Sequence, residues 1–156
     1  MRRSPFIPLV LMGAIIVGCG TEYKKEIDEN HTIGSDVMKN INESDLAGIG
    51  KPLDLYVKAA IEGDSKIARP AFVEGATITH VENDSIVCLP IQALFDYYDQ
   101  TGKQNASYEI SECSVAGDIA MVRIESVFGE AQFTDMFTLA RESGEWKIVS
   151  KIYSVK

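Results

Sequence analysis

Only two histidines and three cysteines occur in the 156 residues, and they do not cluster. His31 and His80 each stand alone in the sequence. No Cys/His set with metal-ligand spacing can be assembled, so no metal site is expected. The same scarcity disfavours nucleophilic catalysis, because a serine or cysteine nucleophile needs a base within hydrogen-bond reach. There is no glycine-rich phosphate loop, and no cofactor is expected. Basic residues are in deficit as well: 15 Lys and Arg stand against 23 Asp and Glu, a net charge of −8. An acidic surface repels nucleic acid and anionic headgroups. No basic and aromatic stretch interleaves to offset this, and a nucleic-acid partner is not expected.

An apolar run long enough to span a bilayer, about 20 residues, is also missing. What the chain has is "MRRSPFIPLVLMGAIIVGCG", in which two arginines precede an apolar run from Phe6 to Val17. This is the charged n-region and apolar h-region of a secretory signal. Its last four residues, Ile16-Val17-Gly18-Cys19, resemble the bacterial lipobox, in which the cysteine is lipidated and becomes the mature N-terminus. The resemblance implies a lipoprotein of the bacterial cell envelope that faces the periplasm and is held at the inner or outer membrane through Cys19. Removing residues 1–18 takes away two of the 15 basic residues and none of the 23 acidic ones, so the mature charge becomes −10. Cys88 and Cys113 then remain, each within an expected strand. The oxidising compartment permits a disulfide, while buried free cysteine is common, and both states stay open.

The expected organisation is a signal peptide over 1–18, the lipidated cysteine and a flexible tether over 19–47, and one folded domain over 48–156. The tether, with "EIDENHTIGSD" and "NINESD", is too polar to offset its ordering entropy. A short helix around Val37 to Ile41 is the one element expected within it. From Lys51, Pro52 suits the first turn of a helix, and Leu53, Tyr56, Val57, Ala60 and Ile61 follow the 3.6-residue period. A second short helix is expected over Ser65 to Phe72, then strands at "ATITHVE" and "IVCL", then a helix opened by Pro90 with Ile91, Leu94, Phe95 and Tyr98 on one stripe. Four strands follow without helices between them: about Ala106 to Val115, Ile119 to Phe128, Ala131 to Arg141 and Glu145 to Val155. Gly117-Asp118 and Gly129-Glu130 suit two-residue hairpins, and Glu142-Ser143-Gly144 a three-residue one. Helices first and a meander after them argue for an α+β fold with helices on one sheet face. About 105 residues suffice for one modest core.

Those turns imply a register. It sets Cys113 opposite Val122, Ser111 opposite Ile124, and Asp135 between Ile124 and Lys151. Phe133 then opposes Tyr153, and Phe137 opposes Val149. One face carries Val122, Ile124, Phe128, Phe133, Phe137, Leu139, Val149 and Tyr153, with Asp135 and Lys151 inside it and Glu109 and Ser111 at its side. Trp146 falls on the other face with Ala140 and Ile148. A carboxylate on an apolar face costs several kcal/mol unless it is paired, protonated or wet. Asp135 is therefore either half of a structural ion pair with Lys151 or part of a cavity between sheet and helices. A slip of the third hairpin by one residue would remove Lys151 from this face.

The order of elements, the turn "VAGDIAMVRIE" and the ending "FTDMFTLARESGEWKIVSKIY" resemble the nuclear transport factor 2-like superfamily, and within it a bacterial group labelled for lumazine binding. "IEGDSKIARPAFVEGA" and "LPIQALFDYYDQ" are similar to that group's second and third helix regions. The resemblance runs from about Pro52 to Tyr153. It implies a cone: a strongly curved, mainly antiparallel sheet on three helices around a pocket. Relatives such as ketosteroid isomerases use a pocket carboxylate as acid or base. Val73 stands where a histidine follows "PAF" in many relatives, which removes one acid/base partner. Within such a cone the pocket residues are Tyr56, Phe72, His80, Leu94, Tyr98, Phe128, Phe133, Asp135, Phe137 and Lys151. For Tyr56 and Tyr98 core packing is the alternative, and for His80 a bonded, half-buried position. Pairing of two copies through the open sheet face follows by analogy.

Three functions stand: a small-molecule-binding domain oriented by Asp135 and Lys151, an isomerase- or dehydratase-like enzyme with Asp135 as general acid/base, and an accessory protein acting through its sheet face. A cavity under about 300 Å³ would favour the last. Asp135→Asn is expected to weaken ligand binding or lower the melting temperature without unfolding the domain. Unchanged binding together with an unchanged melting temperature would remove Asp135 from the site.

Overall fold

The computed structural model describes residues 41–156. The signal segment, Cys19, the tether as far as residue 40 and most of the short helix expected near Val37 lie outside the described residues. Among these residues three α-helices, α1 (Glu43–Glu62), α2 (Ser65–Ala68) and α3 (Gln92–Thr101), accompany six strands. The strands are β1 (Phe72–Glu82), β2 (Ser85–Pro90), β3 (Ala106–Ala116), β4 (Ile119–Phe128), β5 (Ala131–Glu142) and β6 (Glu145–Val155). They form one open, mixed sheet in the order β2-β1-β6-β5-β4-β3. Only β1 and β6 run parallel; the other neighbours are antiparallel. The architecture is the expected α+β fold.

Helix α1 starts earlier than the sequence suggests, so the expected tether up to Ala47 and domain start at residue 48 are corrected. Asn42 caps it by accepting from the Asp45 N–H at 2.7 Å, and Glu43 and Asp45 place carboxylates in the first turn. Both effects stabilise a helix start. Pro52 therefore lies inside α1, where it forfeits one backbone bond. Tertiary packing overrides that cost: Ile49, Leu53, Tyr56, Val57, Ala59 and Ala60 are all buried. The helix ends at Gly63, whose φ of 64° suits a left-handed cap. Two further boundaries shift at prolines. α2 passes into a 3₁₀ turn over Arg69–Ala71, so Phe72 opens β1. Pro90 ends β2, opposite Thr77 on that edge strand, and the next N–H, of Ile91, donates to Ala76 at 2.9 Å.

The first two hairpins of the meander have the expected two-residue loops. In the third, Glu142 pairs with Glu145, and Ser143 and Gly144 both have positive φ, 52° and 84°. That is the signature of a type I′ turn, not of a three-residue loop. By itself the shorter loop would turn Lys151 outward. A bulge at Val149 restores the parity: Leu139 faces Ile148, while Thr138 faces Ser150 and Phe137 faces Lys151. Val149, expected inside, is consequently 39% exposed. Trp146 and Ile148, expected on the outer face, are buried. A second bulge at Ser111 makes Ile110, not Ser111, the partner of Ile124. Glu109 and Ser111 are thereby exposed, and Tyr108 and Ile110 pack on the core. Cys88 is exposed and Cys113 buried, and both are free thiols.

Trp146 packs against α1 at Gly48, where an added Cβ would stand 2.8 Å from the indole. The Arg141 guanidinium lies 4.9 Å over the same ring and bonds Asp45 at 2.7 Å, which clamps the helix start to the last hairpin. Gly48→Ala therefore forces α1 off the indole, while Gly50→Ala, with nothing within 4 Å, gains only helix propensity. The Gly50 variant is expected to be the more stable of the two by about 1–3 kcal/mol in urea titrations. Equal stabilities would show that the indole does not limit the approach of α1.

Candidate functional site

Alternation along β4, β5 and β6 brings three polar side chains onto one apolar face. Asp135 on β5 is fully buried and Lys151 on β6 is 3% exposed. The ammonium Nζ stands 2.7 Å from Asp135 Oδ1, although Asp135 faces Tyr153 across the ladder and Lys151 faces Phe137. The pair is thus a diagonal neighbour contact rather than the directly opposed one expected. Ser126 Oγ on β4 donates to Asp135 Oδ2 at 2.6 Å, and the Tyr56 hydroxyl on α1 approaches the same oxygen at 3.5 Å. Oδ1 accepts no hydrogen bond of good alignment, so the close Lys151 charge alone satisfies it.

Aromatic rings build the walls around this pair. Tyr56 packs edge-on against Phe128 and Phe137, at 5.3 Å in both cases. Phe133 meets Phe128 and Tyr153 at 6.0 and 5.9 Å, and His80 stacks on Tyr153 at 5.0 Å. The Tyr98 hydroxyl on α3 donates to the Tyr56 carbonyl at 3.1 Å, which ties the two helices together over the sheet. Lys151 Nζ lies 4.0 Å over the Tyr153 ring and 5.7 Å from the centre of Tyr56, within cation–π range. Burial pushes the Lys151 pKa down, and Asp135 only partly opposes this. The Tyr56 phenol is raised by burial and then by Tyr98 and Asp135, and that of Tyr98 by burial and Asp135. Both tyrosines are therefore hydroxyl donors at neutral pH.

A cavity of about 260 Å³ opens between the sheet and helices α1 and α3. Tyr56, His80, Leu94, Tyr98, Phe128, Phe133 and Lys151 line it, as the sequence suggests. Three other expected residues do not. Phe72, at the very start of β1, packs on Phe95 at 5.7 Å and lines a separate recess beside Arg69. Phe137 and Asp135 lie behind the wall, where Phe137 supports Tyr56 and Asp135 supports Lys151. Ile78, Leu89, Ala93, Tyr97 and Tyr153 also line the cavity. Of these Tyr153 was legible, as it alternates with Lys151 on β6. Ser126 was legible by the same signal as Asp135, a polar residue on an apolar strand face. Leu89 and Tyr97 are exposed and mark the mouth. The volume falls below about 300 Å³, which by size alone favours the accessory role and limits any occupant to one or two rings.

An open mixed sheet, three helices and an aromatic cavity with a polar floor define a nuclear transport factor 2-like domain. The chain belongs to the family described as "Putative lumazine-binding", which matches residues 44–154. It is similar to an NTF2-like protein of unknown function from Shewanella baltica OS155, with 34% identity and a TM-score of 0.69, over 75% of this chain and 98% of that one. An NTF2-like protein of unknown function from Methylobacillus flagellatus KT shares 28% identity with a TM-score of 0.68, over 75% and 96%. Among curated proteins, "Aldolase FrzH" from Cladobotryum sp is 27% identical over 120 residues, 75% of this chain and 96% of that protein.

The two halves of the ion pair are not equivalent. Removing Lys151 leaves a fully buried carboxylate with no counter-charge, whereas removing the charge of Asp135 leaves an amine that can shed its proton through the cavity. Lys151→Met is expected to cost about 3–5 kcal/mol, and more than Asp135→Asn. Adding Asp135→Asn to Lys151→Met should recover part of the loss. Urea titrations of the single and double variants check this, and equal single losses with no recovery would show that the charges act independently.

Proposed function

We propose that the domain binds a small, flat molecule of one or two rings, whose carbonyl or anionic group meets the Lys151 ammonium. The observation that carries this reading is a mostly aromatic cavity that opens to solvent and has one nearly buried cation in its wall. Apolar walls with a single well-placed polar group are the usual composition of a ligand site. The lipobox-like Cys19 supports placing this module in the cell envelope, tethered by lipid and facing the periplasm. The sheet's outer face, where Met121, Met136 and Ile152 stand exposed, is the surface through which two copies would pair.

A second reading has Asp135 as general acid/base in an isomerase- or dehydratase-like reaction. The similarity to a protein named an aldolase favours it, since aldol chemistry also turns on moving a proton beside a carbonyl. Asp135 lies behind the wall, so Lys151 or the Tyr56 hydroxyl would have to relay its proton.

The two properties can be read together. The wild-type chain produced in a bacterium should sediment with membranes and Cys19→Ser with the soluble fraction. Native mass spectrometry of the Cys19→Ser chain should show two subunits and a small-molecule adduct that Asp135→Asn loses. A clean monomeric mass without adduct would move the weight to an accessory role for the sheet face.

A further inference from the structure

Lys151 is more than a counter-ion. Among the described residues its three N–H donors have no partner besides Asp135, and the side chain lines the cavity although it is almost wholly buried. A lysine retained only for pairing would gain from further acceptors, because an ammonium has three donors to satisfy. Here the surroundings are rings instead: Tyr153 on β6 and Tyr56 on α1 face it, with His80 of β1 stacked behind Tyr153. We propose that Lys151 captures a carbonyl compound covalently, as a Schiff base, with Asp135 as its proton partner. This rests on the reading of the cavity as a ligand site and extends it from contact to bond formation.

The chemistry closes without any further reactant. The Lys151 ammonium passes a proton to Asp135 Oδ1, 2.7 Å away, which frees the nitrogen lone pair. That pair attacks the carbonyl carbon, the C=O π electrons move to oxygen, and the oxygen takes the proton back from Asp135 through the Tyr56 hydroxyl, which lines the cavity and stands 3.5 Å from Asp135 Oδ2. A second proton leaves nitrogen by the same route and departs with the oxygen as water, while the nitrogen lone pair closes the C=N bond. The net change is ammonium plus carbonyl to iminium plus water, with one positive charge on each side. The iminium keeps the cation beside Asp135, so the buried carboxylate is never left unpaired, which would be the costly outcome. Oδ1, which accepts no well-aligned hydrogen bond, is free to carry both protons. Burial also lowers the Lys151 pKa, which raises the fraction of free amine as in other Schiff-base lysines. The substrate class is a compact aldehyde or ketone on a ring, as the cavity size and walls require.

The test uses the full chain with benzaldehyde at stoichiometric concentration and cyanoborohydride at neutral pH, followed by proteolysis and mass spectrometry. Reduction adds hydride to the imine carbon and fixes one benzyl group on the reacting amine. Lys151 is expected to be alkylated about tenfold or more faster than the exposed Lys58, Lys66 and Lys103, in keeping with a lowered pKa. Asp135→Asn should slow that labelling while the melting curve still shows a folded domain. Benzyl alcohol, which has the same ring and no carbonyl, is run in parallel as a thermal-shift ligand. Label on surface lysines with Lys151 unmodified, while benzyl alcohol raises the melting temperature, would overturn covalent capture and leave ring binding standing. Neither label at Lys151 nor a thermal shift would sink both.

Discussion

A carboxylate with no solvent exposure is held in the centre of this sheet by a single ammonium, and much of the structure is arranged around that requirement. Moving both charges out of water costs several kcal/mol per ion even after relaxation. Their attraction offsets this only if they stay in contact, so the register of β5 and β6 cannot drift. Ser126 takes one carboxylate oxygen at 2.6 Å, and Tyr56 reaches the same oxygen from the helix side at 3.5 Å. Sheet and helix α1 thus meet at a fully buried polar point, in addition to the Asp45–Arg141 and Asp54–Tyr108 contacts nearer the surface. A purely hydrophobic replacement of the pair would cost little or even stabilise. The pair is therefore better explained by what it presents to the cavity than by what it adds to stability.

Much of this was legible in the sequence because strand periodicity is strict. "QFTDMFTLAR" puts Asp135 on the same face as Phe133, Phe137 and Leu139 whatever its neighbours do, and two glycine-first loops fix β3, β4 and β5 closely. What was not legible was the pair of bulges. Nothing in "EWKIVSKIYS" marks Val149 as the extra residue, because a bulge answers to the partner strand and to the core rather than to local propensity. The third loop was read one residue too long, and the bulge corrects the parity that the shorter loop would have reversed. Lys151 was thus placed on the correct face, opposite the wrong residue. Helix α1 failed for a different reason. Pro52 is a strong local signal for a helix start, and the Asn42 cap, the burial of Ile49 and the Asp45–Arg141 contact, at 2.7 Å, together outweigh it. Phe72 was misplaced because the pairing of β1 with β6 shifts register between Phe72 and Thr77, a stretch that contains Gly75 with φ of 81°.

The electrostatics of the cavity follow from the same scarcity that marks the whole chain. Acidic residues dominate the composition, yet the charge that reaches the cavity wall is positive, and its counter-charge is kept behind the wall. An approaching ligand meets the Lys151 ammonium flanked by the faces of two tyrosines. Such a setting favours electron-rich oxygen over a second cation. The overall acidic field would slow a highly charged anion at long range, so a neutral carbonyl compound fits both fields better than a phosphate does.

The bulges also connect shape to chemistry. Each inserts one residue into a strand and bends it locally. They sit on β3 and β6, the two strands that flank the β4–β5 hairpin carrying Ser126 and Asp135. The bend that helps the sheet curl round a space and the parity change that selects its lining are therefore one backbone event on each side. On β3 that event turns Tyr108 and Ile110 inward in place of Glu109 and Ser111. On β6 it turns in Lys151 and Tyr153. A straight, bulge-free β6 would place Ser150 and Ile152 in the wall and expel the lysine, leaving Asp135 buried without a charge partner. Curvature and the buried pair are hence not separate features of this fold: a sheet flat enough to lose the cavity would also lose the ion pair.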